Sequence, residues 1–168
     1  MISPPASADE VPVATSGSSS ADDQDPGSLP QASTTLEFGY PGDGGLGDRL
    51  VAAVLSGSKT ATSSLAVGYL TGDPLPRVGE QLTLVDHQGT TYGTVETTKV
   101  RIVPLNEVGD DIAWAEGEGF TDAAEWRVAH EAFWRALEDL IRVEAGDEHW
   151  TLREAEPVVV QWFRLLGR

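Results

Sequence analysis

The stretch Leu55-Ser56-Gly57-Ser58-Lys59-Thr60-Ala61-Thr62 combines a helix stop, a lysine and a run of small hydroxyls within eight residues. Ahead of it Leu46, Leu50, Val51, Val54 and Leu55 recur at helical spacing, and Gly57 is a natural terminator of that helix. Behind it residues 60–70 are rich in Thr, Ser, Val and Leu and read as an extended segment. The passage is therefore helix, turn, strand, with the lysine in the turn. Two later segments can complement it: Glu116-Gly117-Glu118-Gly119 and Trp126-Arg127-Val128-Ala129-His130. A lysine, hydroxyls and a carboxylate set among glycines have the chemistry of a hydrolytic or nucleoside-binding site.

Working outward, Asp73 to Gly79 reads as a turn leading into a strand, Gln81 to Val85. A hairpin turn around His87-Gln88-Gly89 precedes a long Thr- and Val-rich strand, Thr91 to Val103, which Pro104 ends or places at an edge. Thr121 is a suitable N-cap for a helix, with Asp122 and Glu125 complementing the dipole of its first turn. Trp126, His130, Phe133, Leu137 and Ile141 fall on one face of that helix. A last strand runs from Pro157 to Leu166. Several strands with two helices imply an α+β fold around a small curved or barrel-like sheet. The glycine-rich run Gly42 to Gly47 is not followed by Gly-Lys-Ser/Thr, so it is no phosphate-binding loop.

Residues 1–33 contain no Lys, Arg or aromatic residue and no apolar periodicity. Such a segment cannot bury enough surface to offset its ordering entropy and reads as a disordered acidic tail. Residues 34–168 form one domain. The whole chain carries net charge -16. Five acids lie in the tail, which leaves 22 acids against 11 bases in the domain. This balance disfavours sequence-independent binding of a polyanion and suits a small uncharged ligand. With no cysteine and three histidines without ligand spacing, neither a disulfide nor a transition-metal site is expected, and no cofactor is implied. No apolar run is long enough for a membrane span, and the start lacks the features of a signal peptide, so the expected location is the cytoplasm.

Each candidate residue has an ordinary alternative. Lys59 can be a solvated lysine at a helix C-terminus, or a desolvated base. Lysine occurs only at positions 59 and 99, while Arg supplies the other nine bases. Thr60, Thr62, Ser63 and Ser64 can be strand-surface hydroxyls, and Lys59 meets Thr62 only if the strand starts late. Glu116 and Glu118 can belong to an acidic loop or form a close carboxylate pair. His130 can be a hydrogen-bonded core histidine, and Arg127 can stack on a base or bind phosphate.

Taken in order, these pieces resemble the ASCH domain, a branch of the PUA-like superfamily of small β-barrels linked to RNA. The matching features are Leu55 to Thr62, Leu75-Pro76-Arg77-Val78-Gly79-Glu80, Thr97 to Val100, Ala115 to Gly119, Trp126-Arg127-x-x-His130 and the closing Val-Val-x-x-Phe strand. Small bacterial members of that family include amidohydrolases that deacetylate N4-acetylcytidine with a Lys, a Thr and a Glu. The resemblance implies Lys59, Thr62 and Glu118 in those roles, with Thr60, Ser64, Glu116, Arg127 and His130 around the substrate. Other members resemble ribonucleases or RNA-binding coactivator domains. The implied partner is therefore a small nucleoside or single-stranded RNA. This chain departs from the compact amidohydrolases in its Gly-Glu-Gly loop and its Trp-Arg-x-x-His helix.

Two expectations follow. Deleting residues 1–33 should leave melting temperature and any activity nearly unchanged, which thermal denaturation of the truncated chain checks. Lys59, Thr62 and Glu118 should converge on one cleft, with Lys59→Met abolishing turnover while leaving the fold intact.

Overall fold

A computed structural model describes residues 35–70 and 74–167. The acidic tail expected over residues 1–33, and part of the turn expected from Asp73, lie outside those residues. The elements are β1 (Thr35–Phe38), α1 (Leu46–Ser56), β2 (Ala61–Leu65), β3 (Gln81–Asp86), β4 (Thr91–Pro104), α2 (Asp110–Ala115), α3 (Ala123–Ala136), α4 (Glu138–Ala145) and β5 (Pro157–Gly167). One-turn 3₁₀ segments at Ala66–Tyr69 and Leu105–Glu107 follow β2 and β4.

The strands form one mixed sheet in the order β1-β3-β4-β5-β2. β1 runs parallel to β3, and the other neighbours are antiparallel. The sheet is open: β1 and β2 are its edges, and the barrel closure expected from the sequence is not formed. The ladders are irregular at Thr94/Val95 and Thr97/Lys99 between β4 and β5 and at Leu84/Val85 between β3 and β4, the kind of feature that bends a strand.

Two apolar clusters divide the interior. The first packs Val51 and Val54 of α1 against Leu36, Phe38, Leu82, Leu84, Val95 and Phe163. The second gathers Ile112, Trp126, Trp134, Ile141 and Trp150 over Ala61, Leu65, Val158 and Val160. A cavity opens between them.

The helices differ from the sequence expectation in three ways. Four α-helices replace two, because α2 is a six-residue turn of helix and the expected long C-terminal helix breaks at Leu137. The N-cap of α3 is Asp122 rather than Thr121, its carboxylate accepting from the N–H groups of Ala124 and Glu125. The buried face is Trp126, Trp134 and Ile141, whereas Phe133 is 38 % exposed and borders the cavity. A one-residue turn of the face is enough to exchange Phe133 for Trp134. Ile141→Ala should therefore cost about 2–5 kcal/mol, as for an enclosed aliphatic side chain. Phe133→Ala should fall below the ~3–5 kcal/mol of an enclosed ring, a contrast that urea denaturation of the two variants measures.

Candidate active site

Lys59 is carried into the interior by the end of α1. Gly57 takes a left-handed conformation (φ 82°), and the N–H groups of Ser58 and Lys59 both return to the Ala53 carbonyl. The Thr60 N–H then donates to the Ala115 carbonyl at the end of α2, and the Thr60 carbonyl accepts from the Phe163 N–H of β5. Pinned on both sides, the turn leaves Lys59 only 1 % exposed. Its Nζ donates to Glu118 Oε1 at 2.7 Å, to the Glu116 carbonyl oxygen at 3.2 Å and to Glu116 Oε2 at 3.5 Å. The ammonium also lies 5.4 Å from the centre of the Phe38 ring. A buried lysine is tolerated because every donor has an acceptor and two carboxylates balance its charge.

The opposing loop depends on Gly117. Its φ is 64°, and a Cβ there would fall 2.7 Å from Lys59 N and closer still to the Ser58 carbonyl. Only glycine lets Glu116 and Glu118 approach the lysine from one loop. Gly119 also has positive φ (94°), but nothing lies within 4 Å of the Cβ it lacks.

The two carboxylates have different surroundings. Glu116 is 1 % exposed, and its Oε1 accepts from Ser63 Oγ and, at 2.8 Å, from Trp126 Nε1. Oε2 faces Lys59 Nζ and His130 Nε2, each at 3.5 Å. Burial alone would push the Glu116 pKa up. Hydrogen bonding from His130, the charges of Lys59 and His130, and the Ser63 hydroxyl together outweigh it and lower the value from 4.5 to about 2. Glu116 is thus a fixed anion. The Glu118 side chain remains 21 % exposed and borders the cavity, so it is the more accessible of the two carboxylates.

The cavity beside this pair holds about 230 Å³. Phe38, Tyr40, Leu46 and Leu50 wall one side, Phe120, His130, Phe133 and Trp134 the other, and Thr62, Ser63, Glu116 and Glu118 supply the polar groups. The glycine-rich loop builds the first wall. Asp43 accepts from the N–H groups of Tyr40, Gly45, Leu46 and Gly47, which folds the loop back onto the start of α1. The His130 ring stacks on Trp126 with centroids 3.9 Å apart, and its Nδ1 lies 2.9 Å from the Trp126 carbonyl oxygen. Among the described residues no group of His, Asp and Glu could hold a metal ion.

The ASCH domain model matches residues 37–167, which is most of the chain and all of the sheet except the first two residues of β1. The protein belongs to the ASCH domain family. A structure of a protein from Enterococcus faecalis V583 is similar at 29 % identity and TM-score 0.66, over 79 % of this chain and 76 % of that one. The ASCH domain from Lactobacillus crispatus JV V101 is similar at 27 % identity and TM-score 0.65, over 81 % and 82 %. No curated protein matches the chain significantly.

Within this ASCH domain the sequence-derived candidates separate. Lys59, Glu116 and Glu118 meet directly, and Thr62, Glu116, Glu118 and His130 line the cavity. Three lie elsewhere. Thr60 is exposed and bonds the Ala115 carbonyl, Ser64 pairs with the Tyr69 hydroxyl, and Arg127 reaches the Asn106 carbonyl. Sequence reasoning read Ser63, one residue from the residue chosen, only as a strand-surface hydroxyl, and passed over the aromatic wall of Phe38, Tyr40 and Phe120. Strand alternation cannot find Ser63, because Thr62 and Ser63 of this edge strand both border the cavity.

Gly117→Ala should destabilise by more than the ~1–2 kcal/mol of a left-handed alanine, since the backbone must also retreat from Ser58. Gly119→Ala should cost only that conformational part, and thermal melts of the two variants compare them. Because its folded pKa is depressed, Glu116 contributes stability above pH 4.5 that is lost as pH falls toward about 2. Acid unfolding of Glu116→Gln should lack that component.

Proposed function

We propose that this ASCH domain is an amidohydrolase acting on an acylated pyrimidine nucleoside, with N4-acetylcytidine as the model substrate. The observation that carries this reading is the 2.7 Å contact between buried Lys59 and partly open Glu118 at the side of an aromatic-walled cavity. Tyr40 and Phe133 are in ring contact with centroids 6.3 Å apart, and with Phe38 they offer an aromatic wall against which a planar base would lie, its exocyclic amide toward Thr62 and Glu118. No Lys or Arg lines the cavity, and Lys59 is already neutralised by two carboxylates. These features favour a ligand without phosphate.

Chemically, the Thr62 hydroxyl attacks the acyl carbon or orients the water that does so, while Glu118 takes the proton released. Lys59 acts from behind the cavity wall: its ammonium, 2.7 Å from Glu118 Oε1, holds that carboxylate in place and balances its charge as the proton moves. Breaking the C–N bond returns the proton to the leaving exocyclic amine, and the acyl group departs as a carboxylic acid. If Thr62 attacks, a water molecule completes the hydrolysis of the ester it forms.

RNA binding or cleavage is the second reading, and one surface supports it. Lys99 Nζ sits 4.3 Å over the Trp162 ring and Arg101 lies 6.0 Å from it, giving a cation–aromatic patch on β4 and β5. Binding there would weaken steeply with salt, whereas nucleoside turnover would not.

Lys59→Met is a less clean probe than the sequence suggested. It would strand Glu116 inside the protein, and breaking a buried pair from one side costs about 3–5 kcal/mol. Thr62→Val and Glu118→Gln alter groups that border open space. Each should reduce N4-acetylcytidine deacetylation by at least ~100-fold, with melting temperature little changed in Thr62→Val but lowered in Glu118→Gln, which removes one of the two charges that balance buried Lys59. Chromatographic assay of cytidine release checks this, and full activity in either variant contradicts the assigned roles.

A further inference from the structure

Both ring nitrogens of His130 face oxygen acceptors. Nδ1 lies 2.9 Å from the Trp126 carbonyl oxygen, and Nε2 lies 3.5 Å from Glu116 Oε2. A neutral imidazole has a single N–H, so in either tautomer it would turn a lone pair toward one of these oxygens. Only the imidazolium donates to both. The stacked indole of Trp126 suits the same charge state, because an aromatic face attracts a cation.

We propose that His130 is a cationic positioning residue that shares Glu116 with Lys59 and so keeps the lysine ammonium on Glu118. The charged groups facing it are Glu116 and Glu118 from the loop after α2 and Lys59 from the turn before β2. On its own helix the neighbours are the uncharged rings of Trp126 and Trp134, and Phe120 packs from the loop. The Tyr40 phenol is a further titratable group in the cavity wall. With imidazolium present, two cations meet two carboxylates and the cluster is neutral. Without it the cluster carries one net negative charge, and Oε2 of Glu116 loses one of its two cationic partners. The Lys59 ammonium is then drawn from Glu118 toward the buried carboxylate, away from the group that exchanges protons with the ligand. His130 thereby couples the placement of Lys59 to the charge on its own ring.

The consequence for turnover rests on the hydrolytic reading, but the charge state is a property of the ligand-free protein and is tested separately. Nitrogen-15 NMR of the full chain follows the histidine ring nitrogens, the tryptophan indole N–H signals and the lysine ammonium through a pH titration. His130→Gln and Trp126→Phe identify the signals. The expected result is an imidazolium at His130 whose deprotonation moves the Trp126 indole and Lys59 signals in the same step. kcat/KM for N4-acetylcytidine should fall through that step as pH rises, and His130→Gln should lack the step. A neutral His130 throughout the folded range, or a titration that leaves the Trp126 and Lys59 signals unmoved, overturns the proposal. If His130→Gln does not fold, the wild-type titration decides alone. A coupled NMR step without any nucleoside turnover would uphold the role of His130 and reject the hydrolytic reading instead.

Discussion

A lysine ammonium held out of water between two carboxylates is the constraint around which this domain is arranged. Isolated, a buried charge is costly, and Lys59 persists inside only because Glu116, Glu118 and the Glu116 carbonyl together occupy its donors. Each acceptor in turn dictates a feature of the chain. Gly57 turns the lysine inward from α1, and Gly117 allows the opposing loop to come close enough. Ser63, Trp126 and His130 meet the remaining capacity of Glu116. Loop, strand and helix are thus tied to one ion cluster at the junction of the two apolar cores.

The division of labour between the carboxylates follows from their surroundings. Glu116 is enclosed and multiply bonded, so it stays ionised and holds position. Glu118 shares the same lysine from the rim of the cavity, with glycines on both sides. One loop therefore supplies an enclosed anion and a second carboxylate at the cavity rim. The aromatic wall adds shape without charge, which matches the acidic balance of the chain.

Much of this was legible in the sequence, for identifiable reasons. Helix α1 with its glycine stop and strands β3, β4 and β5 follow from periodicity and turn residues, whereas the meeting of Lys59 with Glu118 was expected from the resemblance to the ASCH domain, spacing alone leaving both residues open. The open sheet was not legible, because closure depends on how edge strands β1 and β2 sit, and no local pattern encodes that. The break at Leu137 was hidden by an apolar period that continues across it, which also misassigned Phe133 to the core. Arg127 was chosen for its chemistry beside aromatics, yet its position on α3 directs it to Asn106, away from the cavity. Ser63 was obscured by its neighbour, since residue type alone cannot rank adjacent hydroxyls on an edge strand.

The account is tested most directly by a double-mutant cycle on N4-acetylcytidine hydrolysis using Thr62→Val, Glu118→Gln and the combined variant. If hydroxyl and carboxylate act on the same proton beside Lys59, either single change removes nearly all of the rate and the double variant is scarcely slower than the singles. Losses that simply multiply in the double variant, or a wild-type protein that releases no cytidine, would contradict it.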